Sequence, residues 1–132
     1  MGLTPAHVTI ALPCYNRELG LGKTIRSLME LHYPKNLLQF IIVDDCSTDR
    51  TLAEAKWIQK KHPEYDILVL EHPKNRGKAA AVNTALESLA FRILDDHVNH
   101  CVAGALASGD PVEAETKSKE LLEAVHRFAR VR

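Results

Sequence analysis

Phe40-Ile41-Ile42-Val43-Asp44-Asp45 decides the fold class, because an unbroken apolar run passes directly into two acids. A short apolar run without alternation reads as a strand buried on both faces, and its polar end as the start of a loop. Working outward, Val8 to Leu12 is a second such strand, ending at Pro13, and Ile67 to Leu70 is a third. Between the first two, Leu21, Ile25, Leu28, Met29 and Leu31 recur at helical spacing, and that helix stops before Tyr33-Pro34. Thr51 to Lys61 reads as the next helix, closing at His62-Pro63. Strand, helix, strand, helix, strand is the pattern of a right-handed, doubly wound parallel sheet. Ligands of such sheets bind at the loops that leave the C-terminal strand ends.

From Gly77 the pattern changes. No Gly or Pro lies between Lys78 and Ala103, while Val82, Leu86, Leu89, Ile93, His97 and Cys101 recur at three- and four-residue steps. That describes one long amphipathic helix over about residues 78–106, with Asp95 and Asp96 inside it. Gly104 is expected to loosen its end and Ser108-Gly109-Asp110-Pro111 to terminate it, with Asp110 capping a last helix from Val112 to about Val131. Leu121, Leu122, Val125 and Phe128 mark the apolar side of that helix. The expected fold is α/β: a three-stranded parallel Rossmann-like half sheet with helices, followed by a long helix and a C-terminal helix. Residues 1–80 carry the βαβαβ segment and 81–132 the helical segment, merged in one folded unit.

Bulk properties bound the function. The 132 residues carry 17 Lys and Arg against 17 Asp and Glu, and 45% are hydrophobic, so one ordinary core and one soluble domain are expected. The Lys and Arg residues between Lys117 and Arg132 are interleaved with glutamates, which solvates a helix face and makes no footprint for nucleic acid. No apolar run approaches the ~20 residues of a membrane helix, and Met1-Gly2-Leu3-Thr4-Pro5 lacks the features of a signal peptide. Cys14, Cys46 and Cys101 are odd in number and scattered, which suits a reducing compartment. The expected address is cytoplasmic.

Three polar motifs sit at strand ends: Pro13-Cys14-Tyr15-Asn16, Asp44-Asp45-Cys46-Ser47-Thr48-Asp49 and Asn75-Arg76-Gly77-Lys78. Asp44 and Asp45 suit the N–H and hydroxyl donors of a uracil ring and ribose, and Tyr15, following Pro13, is suited to stack on the base. Asn16 both donates and accepts, and Arg76 and Lys78 offset pyrophosphate charge. A simpler reading makes Asp45 to Asp49 a turn in which Ser47, Thr48 or Asp49 caps the following helix. In this order and at these loops the motifs resemble the start of a family 2 glycosyltransferase of the GT-A fold, over roughly Val8 to Leu86. Cys46 stands where that family often has Gly. The resemblance implies a UDP-type nucleotide partner bound through Pro13, Tyr15, Asn16, Asp44, Asp45, Arg76 and Lys78.

The same resemblance implies that transfer needs an Asp-x-Asp element on a further strand and a later acid as general base. Asp95-Asp96 stands near the first position. The chain between Asn83 and Asp95 is shorter than the family's and lacks a Gly-containing turn, so these acids are expected to be helical. No residue is assigned a catalytic role and no transfer is expected.

His97 and Cys101 are four apart on the helical stripe, and imidazole with thiolate is soft ligation for Cu, Zn or Ni. Two ligands make a weak site unless a third comes from elsewhere or from a second subunit. The simpler reading is a core histidine and a small buried thiol; His100 points off the stripe to solvent. Leu94-Asp95-Asp96-His97, Cys101-Val102, Ala107-Ser108-Gly109-Asp110-Pro111 and Glu120-Leu121-Leu122 resemble the C-terminal part of copper- and formaldehyde-sensing repressors (CsoR/FrmR-like). That resemblance implies assembly as a homodimer through the C-terminal helices. It lacks here the N-terminal Arg-rich helix that contacts DNA.

Ala79 to Leu86 suits both families, so the chain reads as a chimera, natural or built. Three functions follow as expectations: a non-catalytic hybrid with a vestigial nucleotide-sugar pocket, a glycosyltransferase fragment needing a missing half, or a metal- or thiol-responsive helical module without DNA binding.

Overall fold

The computed structural model describes residues 4–130, with β1 at Val8–Cys14, α1 at Leu21–Met29, a 3₁₀ turn at Lys35–Leu37 and β2 at Leu38–Asp44. There follow α2 at Thr51–Lys61, β3 at Asp66–Glu71, α3 at Lys78–Asp96, a π-helical segment at His97–Val102, α4 at Ala103–Ser108 and α5 at Pro111–Arg130. The chain divides into two compact units at residues 86 and 87, inside α3.

In the first unit three parallel strands lie in the order β1-β2-β3, with Phe40 opposite Ile10 on one side and Ile67 on the other. β2 is buried along its whole length, as its unbroken apolar run requires of a central strand. Leu38, Phe40 and Ile42 share one face and pack with Leu21 and Ile25 of α1 and Ala55 and Ile58 of α2. Burying each large side chain of that set stabilises by roughly 1.5–3 kcal/mol. On the opposite face Ile41 and Val43 are equally inaccessible. A rung of polar side chains crosses the sheet where Thr9 Oγ1 donates to Gln39 Oε1 (3.0 Å) and Gln39 Nε2 donates to Asp66 Oδ2 (3.0 Å).

Several expectations need correction. The strand order never reverses and α1 packs against α2, so the first unit is a singly wound half sheet; the doubly wound pattern needs a strand on the far side of β1, and none exists among the described residues. β1 is a half-exposed edge, with Val8 39% accessible, where burial on both faces was expected. It runs on through Pro13 to Cys14 because an edge strand tolerates a residue without an N–H. α1 ends at Met29, two residues before Leu31, as the chain turns toward Pro34.

The helix that begins at Lys78 stays helical to Ser108, as the lack of breakers implies, and Asp95 and Asp96 lie in its α-helical part. One wide π turn is inserted, with Asp96 and Ala103 at its ends in right-handed helical geometry. Nothing in the sequence marks that turn, and Gly104 sits inside α4 without loosening it. The apolar stripe is not the face that is buried: Ala81 and Ala85 are inaccessible, whereas Val82, Leu86, Ile93 and Cys101 are exposed.

In the second unit α5 packs against α4 and the π-helical segment. Asp110 caps α5, its Oδ1 accepting the N–H of Val112 (2.9 Å) and Glu113 (3.3 Å), and Gly109 at φ +73° makes the preceding turn. Leu121 is half-buried while Leu122 and Val125 are exposed. The side chain of Phe128, and residues Val131 and Arg132, lie outside the described residues.

Cys46, in the loop after β2, has φ +59°. A side chain in that left-handed region costs roughly 1–2 kcal/mol, partly offset by the extra unfolded-state freedom of a glycine. The Cys46→Gly variant is expected to be more stable by about 0.5–1 kcal/mol in urea unfolding. A loss of stability would contradict this assignment of strain.

Candidate functional site

The loop after β1 is laced to the loop after β2 side chain by backbone. Asn16, at φ +50°, donates its N–H to Ser47 Oγ (3.0 Å) and accepts at Oδ1 from the N–H (2.9 Å) and hydroxyl (3.3 Å) of Thr48. Arg17 donates its N–H to Thr51 Oγ1 (2.7 Å), and the buried Thr51 hydroxyl donates onward to Asp49. Asp49 Oδ1 also accepts the Thr51 N–H (2.9 Å) at the start of α2. The Arg50 N–H reaches Glu18 Oε2 (3.0 Å).

Both acids at the end of β2 are buried and engaged. Asp44 accepts the N–H (3.1 Å) and hydroxyl of Ser47, which closes the turn. Asp45 receives Arg76 N–H on Oδ1 (2.8 Å), Gly77 N–H on Oδ2 (2.8 Å) and His72 Nδ1–H on Oδ1 (2.7 Å). The Arg76 amide foremost, then His72 and the Gly77 amide, hold the Asp45 carboxyl below the usual carboxylate range against the opposing effect of burial.

These contacts leave a cleft of about 240 Å³ at the C-terminal ends of the strands and a smaller one of about 190 Å³ beside it, lined by Asn16, Glu18, Leu19 and Asp49. Pro13 and Cys14 at the end of β1, with Tyr15 and Arg17 of the loop after it, form one wall of the larger cleft, and Asp45, Lys78 and Ala81 form the other. Of the seven residues expected at a nucleotide site, Pro13, Tyr15, Asp45 and Lys78 meet there. Asn16 and Asp44 are spent inside the loops, and Arg76 contributes its backbone to Asp45 with the residue exposed. Two other cavities, about 470 and 310 Å³, lie along α2 at Trp57 and hold none of the sequence motifs.

Sequence reasoning assigned no role at this cleft to Arg17, Cys14, His72 or Thr84. Arg17 follows the Pro13–Asn16 motif directly, and adjacency was its signal. Cys14 lines the cleft as a thiol; burial first, then the Asp44 carboxylate, push it up to about 11, so it is a neutral, weakly reactive wall. His72 is one residue past the end of β3, where the parallel register places it beside the acids that end β2.

In the second unit His97 Nε2 is buried with no hydrogen-bond partner among the described residues, while Cys101 is exposed. The described residues contain no group of three or more His, Cys, Asp or Glu placed to hold a metal ion. His100 pairs with Asp96 at the surface (3.0 Å), in line with the expectation that it faces solvent.

The sequence profile of glycosyl transferase family 2 matches residues 9–90, more than half of the chain. The chain belongs to that family. The profile of metal-sensitive transcriptional repressors matches residues 77–127, overlapping the first on α3, so the two resemblances are both carried by one chain. The probable glycosyltransferase YdaM of Bacillus subtilis (strain 168) is 32% identical over 79 residues, which are 58% of this chain and 19% of that protein. The poly-beta-1,6-N-acetyl-D-glucosamine synthase of Staphylococcus aureus (strain COL) is 31% identical over 84 residues, 64% of this chain and again 19% of the relative. The chain thus spans about a fifth of the length of these family 2 relatives.

Among solved structures, the mannosyltransferase PcManGT from Pyrobaculum calidifontis, in complex with GDP-Man and Mn²⁺, matches with a TM-score of 0.60 and 33% identity over 62% of this chain and 24% of that one. TarS of S. aureus matches with a TM-score of 0.53 and 30% identity over 61% and 14%. The three parallel strands of this family 2 segment therefore have a GT-A-like neighbour, as expected. Among the described residues no helix is long and apolar enough to cross a membrane.

The depressed Asp45 carboxyl gives a signed pH dependence. Its stabilisation is complete above the ordinary aspartate value near ~3.9 and is lost as pH falls through the lower folded-state value. Asp45→Asn is expected to lose about 2 kcal/mol near neutral pH, since an amide cannot accept all three donors. Urea unfolding of both proteins should show the difference shrinking as pH falls below the ordinary aspartate value of about 3.9. A difference that holds constant through acid would contradict an ionised, donor-saturated Asp45.

Proposed function

We propose that this chain is a non-catalytic hybrid whose first unit binds a nucleoside diphosphate sugar, of UDP type, in the cleft between Tyr15 and Lys78. The observation that carries the reading is the convergence on one cleft of an exposed aromatic ring and two cations, Arg17 and Lys78. Tyr15 offers a face for the base, and Arg17 and Lys78 offset the diphosphate. Family membership and the nucleotide-sugar complex of PcManGT support the ligand class.

The divalent ion in that neighbour raises the question of whether these residues suit one. They do not fit: Asp45 Oδ1 already faces two N–H donors and Oδ2 one, Asp44 is closed on Ser47, and Asp95 and Asp96 lie inside α3 with no strand following them among the described residues. The reading therefore assigns no step to a metal and no catalytic residue. Three free cysteines suit the cytoplasm.

A second reading concerns the other unit. The buried, unpartnered His97 Nε2 and the repressor profile favour weak soft-metal binding at His97 and Cys101, Cu, Zn or Ni, with a homodimer through α5, whose Leu122 and Val125 are exposed. Anaerobic Cu(I) titration against Cys101→Ala tests it; sub-nanomolar affinity in a verified monomer contradicts a two-ligand site.

For the nucleotide, chemical-shift titration with UDP is the direct test. Binding at about 10⁻⁴ M is expected, with shifts at Tyr15 and Lys78, little change on adding Mn²⁺, and a loss of roughly fivefold to tenfold in Arg17→Ala or Lys78→Ala. Mn²⁺-dependent tightening, or sugar-nucleotide hydrolysis, would overturn this reading in favour of a transferase fragment.

A further inference from the structure

We infer that His72 is the positioning residue of the nucleotide cleft: clamped between Asp45 and Thr84, it holds the 73–78 loop in the shape that delivers Lys78. This rests on the nucleotide reading above for its ligand, and on geometry alone for the loop.

The loop has little else to hold it. Pro73, Lys74, Asn75 and Arg76 are all exposed, and Gly77 adopts φ +89°, so packing does not define the backbone there. Its recorded ties among the described residues are the Arg76 and Gly77 amides on Asp45, a local Asn75 Oδ1 contact to the Gly77 N–H (3.2 Å) and the Cys46 thiol near the Pro73 carbonyl (3.7 Å). The two amide contacts work only if the Asp45 carboxylate is fixed in direction. His72 fixes it: the ring is 5% accessible, its Nδ1–H donates to Oδ1 at 2.7 Å, and its Nε2 meets Thr84 Oγ1 at 2.7 Å. The Thr84 hydroxyl lies 3.0 Å from the Ala80 carbonyl in α3, so it too is anchored. The His72 N–H donates to the Asp44 carbonyl (2.8 Å), which seats the residue against β2.

A closed circuit results. Thr84 orients His72, His72 orients Asp45, Asp45 holds the Arg76 and Gly77 amides, and those lead into Lys78 at the head of the helix that carries Thr84. Both ends of the first two turns of α3 are thereby tied to the end of β2. A loop held ready before the ligand arrives spares binding the entropy of ordering it.

Two substitutions separate the ring's nitrogens. His72→Asn keeps a donor at the Nδ1 position and loses the reach to Thr84, whereas His72→Gln keeps the reach to Thr84 and withdraws the donor from Asp45. Amide hydrogen exchange at Arg76 and Gly77 reads the loop without any nucleotide, and Ile58→Val, a core change outside the loop, gauges the effect of general destabilisation. The inference expects exchange at these two amides to rise at least about tenfold in His72→Gln, beyond any rise in β2 amides or in Ile58→Val, and to rise by a smaller factor in His72→Asn, which keeps the donor to Asp45 but gives up the tie to Thr84. UDP affinity should follow the same order, falling as far in His72→Gln as in Lys78→Ala. Equal acceleration in both variants, acceleration in neither, or a rise spread evenly over the first unit overturns the inference. If the exchange pattern holds while the wild-type chain binds neither UDP nor GDP, the clamp is supported and the nucleotide reading is what fails.

Discussion

A buried carboxylate at the end of the central strand is the constraint on which the first unit depends. Taking an ionised group out of water is expensive unless donors replace the lost hydration, and Asp45 has three, from Arg76, Gly77 and His72. Each such donor to a charged acceptor contributes about 1.5–3 kcal/mol. The consequence is spatial as much as energetic. Because the donors come from a loop whose residues are mostly exposed, satisfying the acid also dictates where that loop runs and where α3 begins.

The same fact limits the chemistry. A carboxylate facing three N–H groups is a poor candidate for reading a base or holding a cation, even though its place after a buried strand makes it look like the centre of the site. What remains for a ligand is the rest of the cleft that Asp45 lines, with Tyr15, Arg17 and Lys78. Family 2 membership describes where this sheet comes from, over residues 9–90. The repressor profile begins at residue 77, on the helix whose first turns the Asp45 circuit anchors. Ala79 to Leu86 therefore fall within both matches in one helix.

The parts of this architecture set by local chemistry were legible in the sequence. The unbroken run at Phe40 to Val43 announced a central strand, Thr51 to Lys61 matched the helix residue for residue, and the absence of breakers after Lys78 kept Asp95 and Asp96 helical. What local pattern could not carry was tertiary. Whether a strand is central or at an edge depends on neighbours supplied elsewhere in the chain, so Val8 to Leu12 looked as buried as β2. The largest apolar residues of α3 looked like its core face, yet the buried side chains are Ala81 and Ala85. Of the residues picked out by motif, Pro13, Tyr15, Asp45 and Lys78 line one cleft, whereas Asn16 and Asp44 fasten the loops. His72 and Thr84 were missed because their roles arise from register between β2 and β3 and from a helix returning to the strand ends.

The central claim is that Asp45 is ionised and consumed by the fold. It is tested most directly by following the ¹³C resonance of the Asp45 carboxyl through an acid titration, with and without UDP and Mn²⁺. The account predicts a midpoint below the ordinary value near ~3.9 that Mn²⁺ does not move. A midpoint at or above that value, or one displaced by Mn²⁺, would contradict it and return Asp45 to the role of a ligand-binding acid.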